Sequence, residues 1–257
     1  MSDTSIGGLA IAGEDFRVGR VLSRSLALFL GNFPKYSLYG VATALPHLMN
    51  ALYTFEIQNF LLRHLNSRGG LSALNFGSTF IWAIVFSACQ AAMIHGALQD
   101  IRGHPFDIGA SIRRSLSRML PVIGTAICAF AVVALGFVLL VVPGFIFVTM
   151  FYVVIPVCVV ESLGPIRSLG RSRELAKGHR WQIFAIYLVP AMLLGICHFL
   201  LHRFGIRYGG IMVYAAGIFL LTAIGGTYQA IVNIVTYYDL RSTKEGLDVE
   251  HLAAVFD

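Results

Sequence analysis

Few side chains in this sequence could do chemistry within an apolar environment, and those few are histidines and neutral amides. Gln229 and Asn233 lie four residues apart, so on a helix they share one face. They could bond a neighbouring helix or, with His47, Gln90 and His95, line a polar cleft. Interhelical bonds of this type contribute about 0.6 kcal/mol each on average, so helix packing is the expected role and a solute-lining cleft is the alternative.

His198 and His202 are also four residues apart and could begin a metal site. A zinc site needs three or four ligands, however, and no carboxylate or cysteine accompanies these two histidines. No G-x-S-x-G segment or glycine-rich phosphate cradle occurs, and no charged residue lies deep within an apolar stretch. We therefore predict no catalytic residue, no metal site, no cofactor and no ion-driven pumping.

Charged side chains gather where apolar segments end. The set that stands together in the second half of the chain is Glu161, Arg167, Arg171, Arg173, Lys177, Arg180 and Asp239. Glu161 and Asp239 could each pair with an arginine of the intervening basic helix and pin it to the protein. The same cations could instead bind an anionic lipid headgroup, since a cation near an anionic leaflet gains about 1 kcal/mol. The sequence predicts a structural cluster, a headgroup site, or both.

Composition indicates the class of protein. Of the 257 residues, 57% are hydrophobic and only 12% are charged, which is far more apolar than a soluble domain. The formal charge of +6 does not indicate nucleic acid, because the basic residues are spread between apolar segments. We expect an integral membrane protein whose partners are membrane lipids with anionic headgroups; the sequence does not specify protein partners.

Six apolar spans are predicted, at about 36–53, 76–98, 121–142, 145–160, 181–201 and 211–237. Residues 121–160 contain no charge, and forty residues would form a helix of roughly 60 Å, twice the thickness of a hydrocarbon core. Pro143-Gly144 is therefore predicted to form a tight turn between two spans. Residues 1–15 are expected to be a flexible N-terminus rather than a cleaved signal, 16–240 the membrane domain, and 241–257 a soluble tail.

A polar helix is predicted before each pair of spans. The first, from Phe16, is amphipathic, the second covers the polar segment 100–119, and the third begins at Gly164-Pro165 and ends at Gly178. A weak repeat relates these helices. The pattern Phe16-x-x-Gly19-x-x-x-x-Arg24-Ser25-Leu26 recurs at Phe106-x-x-Gly109-x-x-x-x-Arg114-Ser115-Leu116, and the third helix aligns Arg173 and Leu175 with Arg24 and Leu26. The predicted fold is an all-α membrane protein of six transmembrane helices in three hairpins, each preceded by an interfacial amphipathic helix.

The distribution of basic residues predicts the orientation. Fifteen of the 19 Lys and Arg residues fall on the side that holds both termini of the six predicted spans. Because loops rich in Lys and Arg stay in the cytoplasm, both termini are expected to be cytoplasmic.

Several short segments resemble a known family. They are Val142-Pro143-Gly144, Glu161, Gly164-Pro165, Ser172, Lys177-Gly178-His179 and Tyr238-Asp239-Leu240-Arg241. Together they resemble a broad bacterial family that includes the YciC-type inner-membrane proteins and the membrane domain attached to some glycerophosphodiester phosphodiesterases. The resemblance covers the second half of the chain well and the first half in topology only. It implies a six-span inner-membrane protein without the phosphodiesterase activity, which belongs to a separate metal-binding barrel domain.

The predicted function is that of a non-catalytic, lipid-interacting component that organises the bacterial inner membrane or envelope. The alternative is a small-molecule or lipid transporter, suggested by the repeated hairpins and by the prolines within short spans. A membrane-embedded enzyme would need ligands or acid/base pairs that the sequence does not offer.

Overall fold

The computed structural model describes residues 16–31, nine positions between 33 and 48, and residues 119–245. Within this part of the chain the regular structure is helical, and it contains no strand. The helices are α1 (Val18–Gly31), α2 (Met119–Leu139), α3 (Val141–Met150), α4 (Val154–Val160), α5 (Pro165–Ala176), α6 (Arg180–Leu200), a π-helical segment (Leu201–Gly209) and α7 (Gly210–Glu245).

Four stretches in the described part of the chain are long and apolar enough to cross a membrane. They are Leu120–Leu139, Val141–Val160, Arg180–Gly209 and Met212–Glu245. They fall on the last four predicted spans, so the expectation of an all-helical protein with apolar membrane-length helices is met for these residues. The predicted span 76–98 and the interfacial segment 100–119, apart from its last residue, lie outside the described residues, as do most of span 36–53 and the termini 1–15 and 246–257.

The predicted turn at Pro143-Gly144 is wrong. The chain reverses one turn earlier, at Leu140, whose extended backbone (φ −163°, ψ 151°) separates α2 from α3. Pro143 is instead the third residue of α3. The first N–H groups of a helix have no partner within it, so a proline there breaks no hydrogen bond.

Gly144 serves helix contact instead of turn geometry. A Cβ atom at Gly144 would collide with the ring of Phe137 in α2, and one at Gly136 would lie 2.5 Å from the ring of Phe147 in α3. The two glycines therefore allow α2 and α3 to pack closely against each other.

The last part of the chain that the structure describes is more helical than predicted. The expected loop near residue 205 is the π-helical segment, and the reversal into α7 takes place at Gly210, whose φ is +72°. Helix α7 then continues to Glu245, so residues 241–245, predicted to begin a soluble tail, extend the last span.

Buried side chains from α1, α4, α5, α6 and α7 form the main core. Its fully enclosed members include Val21, Val157, Leu175, Ile183, Ile186, Ile234 and Leu240. The start of the first predicted span also contacts α7, because a Cβ atom at Gly40 would lie 2.6 Å from the Ala223 carbonyl oxygen. We call the region formed by α1, α5, the end of α4 and the last two turns of α7 the basic end of the protein.

Candidate lipid-headgroup site

The basic helix α5 begins and ends where the sequence predicts. Gly164 precedes it with extended backbone, and Pro165 is its first residue, where a missing N–H costs nothing. Gly178 follows its end with φ +92°, a left-handed conformation that glycine adopts without strain. The helix thereby presents its charged residues along a short, well-defined segment between α4 and α6.

Arg171 holds α5 to the ends of two spans. Its Nε atom lies 3.2 and 3.1 Å from the two carboxylate oxygens of Glu161, which follows α4. One of its terminal nitrogens donates to Glu245 at the end of α7, and another lies 3.9 Å from Glu174. Arg171 is thus surrounded by carboxylates, and its charge is compensated within the protein.

A second arginine closes this network from α7. Arg241 donates to Glu245 at 2.8 Å and to the hydroxyl oxygen of Tyr237 at 3.1 Å. Tyr237 in turn donates to Glu161 at 3.0 Å. Glu161 therefore joins α4, α5 and α7, and this part of the predicted cluster is a structural network.

Asp239 pairs with a different helix from the one predicted. Its Oδ1 atom lies 3.3 Å from an Nη atom of Arg24 in α1, and its side chain is 4% exposed. The expectation that Asp239 pairs with an arginine of the basic helix is wrong, because α1 packs on α7 and brings its own arginine to this carboxylate. Arg24 therefore faces the protein, although the amphipathic pattern of α1 was interpreted as interfacial.

The remaining cations of α5 face outward. Arg167, Arg173 and Lys177 are exposed and have no carboxylate partner in the described part of the chain, while Arg180 is half-buried at the start of α6. The predicted cluster thus divides into an internal network and an exposed row of positive charge.

Helices α1 and α5 are equivalent in a register that differs from the predicted one. A shift of 147 residues aligns the first residue of each helix, Val18 with Pro165. It also aligns the pattern R-x-L-x-R-S-x-x-L-x-x-G from Arg20 with the same pattern from Arg167. The predicted alignment of Arg173 with Arg24 is therefore displaced by two residues, and the equivalent of Arg24 is Arg171.

The two helices share buried features as well as sequence. Arg24 and Arg171 each bind a carboxylate near the end of a span, and the serines that follow them, Ser25 and Ser172, are both fully buried. The signal that could have found this register is the glycine that ends each pattern, Gly31 and Gly178.

Two amide side chains of α7 form hydrogen bonds at a break in the fourth predicted span. Helix α3 ends at Met150 and α4 begins at Val154. Pro156 has no N–H with which to reach the Tyr152 carbonyl four residues earlier, and Asn233 donates its amide to that carbonyl at 3.1 Å. Gln229 donates to the Tyr152 hydroxyl at 2.9 Å, so both predicted amides contact the same residue.

A second carbonyl at this break is bound from α5. Ser172 donates its hydroxyl to the Met150 carbonyl at 2.8 Å. Hydrogen bonds at this break therefore come from both α5 and α7. The remaining members of the predicted polar cleft, His47, Gln90 and His95, lie outside the described residues.

The two histidines that the sequence offers as metal ligands lie near the end of α6. His198 and His202 are both exposed, and His202 packs edge-on against Tyr214 with ring centroids 5.7 Å apart. Among residues 16–31, the positions described up to 48, and 119–245, no group of three or more His, Cys, Asp or Glu side chains is placed to hold a metal ion.

Sequence reasoning missed two residues at the end of α5. Lys244 of α7 donates its ammonium group to the Glu174 carbonyl, one of the last of α5. His179 packs edge-on against Phe16 at 5.3 Å, and burial, followed by the nearby charge of Lys244, lowers the pKa of its imidazole. Lys244 was missed because residues 241–257 were assigned to a tail.

Comparison of the chain with protein-family models, with curated proteins and with solved structures gives no match.

Proposed function

We propose that this chain is a multi-span protein of the bacterial inner membrane that binds anionic phospholipid headgroups at its basic end, and that it organises the membrane without catalysis. The observation that carries headgroup binding is the exposed row Arg167, Arg173 and Lys177, which lacks carboxylate partners among the described residues. Cations next to an anionic leaflet gain about 1 kcal/mol each.

Exposed apolar side chains beside these cations support the same proposal. Ile166 is 81% exposed and Trp181 is 83% exposed, at the start of α5 and of α6 respectively. Indole rings favour the headgroup level of a bilayer, where one edge is apolar and the other is wet. A helix with cations next to such side chains suits the membrane surface better than bulk water.

The proposed orientation, with both termini in the cytoplasm, rests on the excess of Lys and Arg at the basic end. It places this row against the inner leaflet. A reporter enzyme that is active only in the cytoplasm, fused after Asp257, should be active, whereas a reporter that requires the periplasm should be inactive there.

The main test is native mass spectrometry of the full-length protein released into mild detergent from membranes that contain phosphatidylglycerol. The variant Arg167→Gln, Arg173→Gln removes two exposed cations, so retained anionic lipid should fall about thirtyfold, corresponding to about 2 kcal/mol. The matched control is Arg203→Gln, Arg207→Gln, which removes two exposed arginines from the opposite end.

Equal lipid retention by the wild type and the α5 variant would contradict headgroup binding at this helix. Deletion of the protein from its host should alter envelope integrity or lipid composition. Unchanged values of both would contradict the organising role.

Transport of a small molecule or lipid is the second candidate, and the break between α3 and α4 favours it, because discontinuous helices often mark substrate sites. A water-filled cleft at the break would make Gln229→Cys reactive towards a membrane-impermeant thiol reagent above the wild-type background. If this cysteine does not react above the wild-type background, the interior is packed and the role of Gln229 is its hydrogen bond to Tyr152.

A further inference from the structure

Two lysines from different helices meet at the end of α5. The backbone N–H of Lys177 donates to the Glu174 carbonyl at 3.2 Å, and the ammonium group of Lys244 donates to the same oxygen. Lys177 is the residue that follows the last residue of α5, whereas Lys244 lies in the last turn of α7. The extension of α7 to Glu245 is what brings Lys244 to this point.

Neither lysine forms an ion pair with a carboxylate in the part of the chain that the structure describes. Charged groups near the Lys244 ammonium include those of Lys177, Glu174 and Arg171. Of these, Arg171 is compensated by Glu161 and Glu245, and Glu174 is 73% exposed and reaches towards Arg171. The Lys177 side chain is exposed and has no carboxylate partner in the described ranges.

The helix dipole opposes an anion here, and it is the weaker effect. The carboxyl end of a helix carries roughly half a negative charge, spread over its last carbonyl groups. At α5 the Glu174 carbonyl already accepts two donors, one of them a full positive charge. The charge of Lys244 alone exceeds the half charge of the dipole, and Lys177, which caps the same helix end, adds a second positive charge.

We propose that Lys177 and Lys244 together bind one phosphate group at the end of α5. The inference rests on the proposed headgroup function and narrows it to two residues. The chemistry is that of a phosphate diester or monoester, which accepts hydrogen bonds from ammonium groups as point charges. Exposed Trp181, four residues after Lys177, lies at the start of an apolar span, so a phospholipid headgroup is the expected source and a soluble phosphate compound is the other.

The test compares variants of the two lysines with a variant of an exposed arginine at the opposite end of the protein. Full-length protein in mild detergent is titrated with phosphatidylglycerol, and separately with inorganic phosphate, and bound species are counted by native mass spectrometry. Lys177→Gln should reduce phosphatidylglycerol binding about fivefold, and Lys177→Gln with Lys244→Gln about thirtyfold. The control Arg203→Gln, which removes an exposed arginine at the opposite end of the protein, should reduce it less than twofold.

Lys177→Gln alone is included because it leaves the Lys244 contact with the Glu174 carbonyl intact, so loss of binding cannot come from a loosened helix end. Loss of lipid in Arg167→Gln, Arg173→Gln with no loss in Lys177→Gln would overturn the two-lysine site while leaving headgroup binding at the two arginines. No reduction by any of these variants would overturn both. Inorganic phosphate binding that is lost in Lys177→Gln would support the site and identify soluble phosphate as a ligand.

Discussion

The break in the fourth span gives a prediction whose size depends on one proline. Asn233→Leu removes the donor that lies 3.1 Å from the Tyr152 carbonyl. No backbone N–H can replace it, because the residue four positions later is Pro156. The variant therefore leaves a part-buried carbonyl without a hydrogen-bond donor.

The cost follows from two opposing effects. An unpaired buried carbonyl costs about 1–3 kcal/mol, whereas an average interhelical hydrogen bond in a membrane contributes only about 0.6 kcal/mol. The buried Oδ1 atom of Asn233 has no hydrogen-bond partner, so its removal offsets part of the loss. We expect Asn233→Leu to lower the free energy of unfolding by about 1 kcal/mol.

Pro156→Ala should rescue this loss. The next N–H along α4, that of Val157, already donates to the Val153 carbonyl at 3.1 Å. An N–H restored at position 156 would thus face the Tyr152 carbonyl, and the cost of Asn233→Leu should fall below half of its value with proline. Unfolding by sodium dodecyl sulfate in mixed micelles measures all four members of the cycle.

The matched control is Gln229→Leu, which removes the donor to the Tyr152 hydroxyl instead of the carbonyl. Pro156→Ala should leave its cost unchanged. If Asn233→Leu costs the same with proline or alanine at 156, or if the alanine rescues both leucine variants equally, the account of this break is refuted.

Three further predictions concern packing, charge and pH. Gly144→Ala should destabilise the contact between α2 and α3 by about 1–3 kcal/mol, because the added Cβ atom would collide with the ring of Phe137. Gly170→Ala adds a Cβ atom that meets open space, so it should stabilise α5 by up to about 1 kcal/mol. Thermal unfolding in detergent measures both variants. Arg24→Ala should cost about 1–3 kcal/mol, because it leaves buried Asp239 with only the nearby charge of Arg20. Asp239→Asn in the same chain should recover most of this cost, and full additivity of the two substitutions would contradict the pair. Because burial and Lys244 lower the pKa of His179, the fold favours neutral imidazole, so stability should be complete above about pH 6.5 and decline as the pH falls below it. His179→Gln should flatten this decline between pH 7.5 and about 5; an unchanged slope would assign the pH dependence to other groups.

The sequence predicted those features that depend on neighbouring residues. The bounds of α5 followed from Gly164-Pro165 and Gly178, since a proline at a first helical position and a glycine beyond a last one act locally. The apolar helices followed from composition and length. These signals need no knowledge of what packs against the segment.

The errors arose where a residue serves a distant partner. Pro143-Gly144 has the composition of a tight turn, but the glycine is required by the ring of Phe137 and the proline fits the first turn of α3. Asp239 was given a partner nearby in sequence, whereas its arginine lies 215 residues away in α1. Lys244 could not be found at all without the length of α7.

In the shared register of α1 and α5, the two helices have the same residue types on the face towards the protein and different ones on the outer face. The inward positions, Arg24 with Arg171 and Leu28 with Leu175, carry the same residue types, so both copies keep the same fastening to the bundle. The outward positions do not: Leu26 and Leu30 in α1 correspond to Arg173 and Lys177 in α5. A repeated unit built in this way can replace an apolar outer surface by a charged one without a change of fold. The same scaffold thereby presents an apolar outer surface in one copy and a charged outer surface in the other.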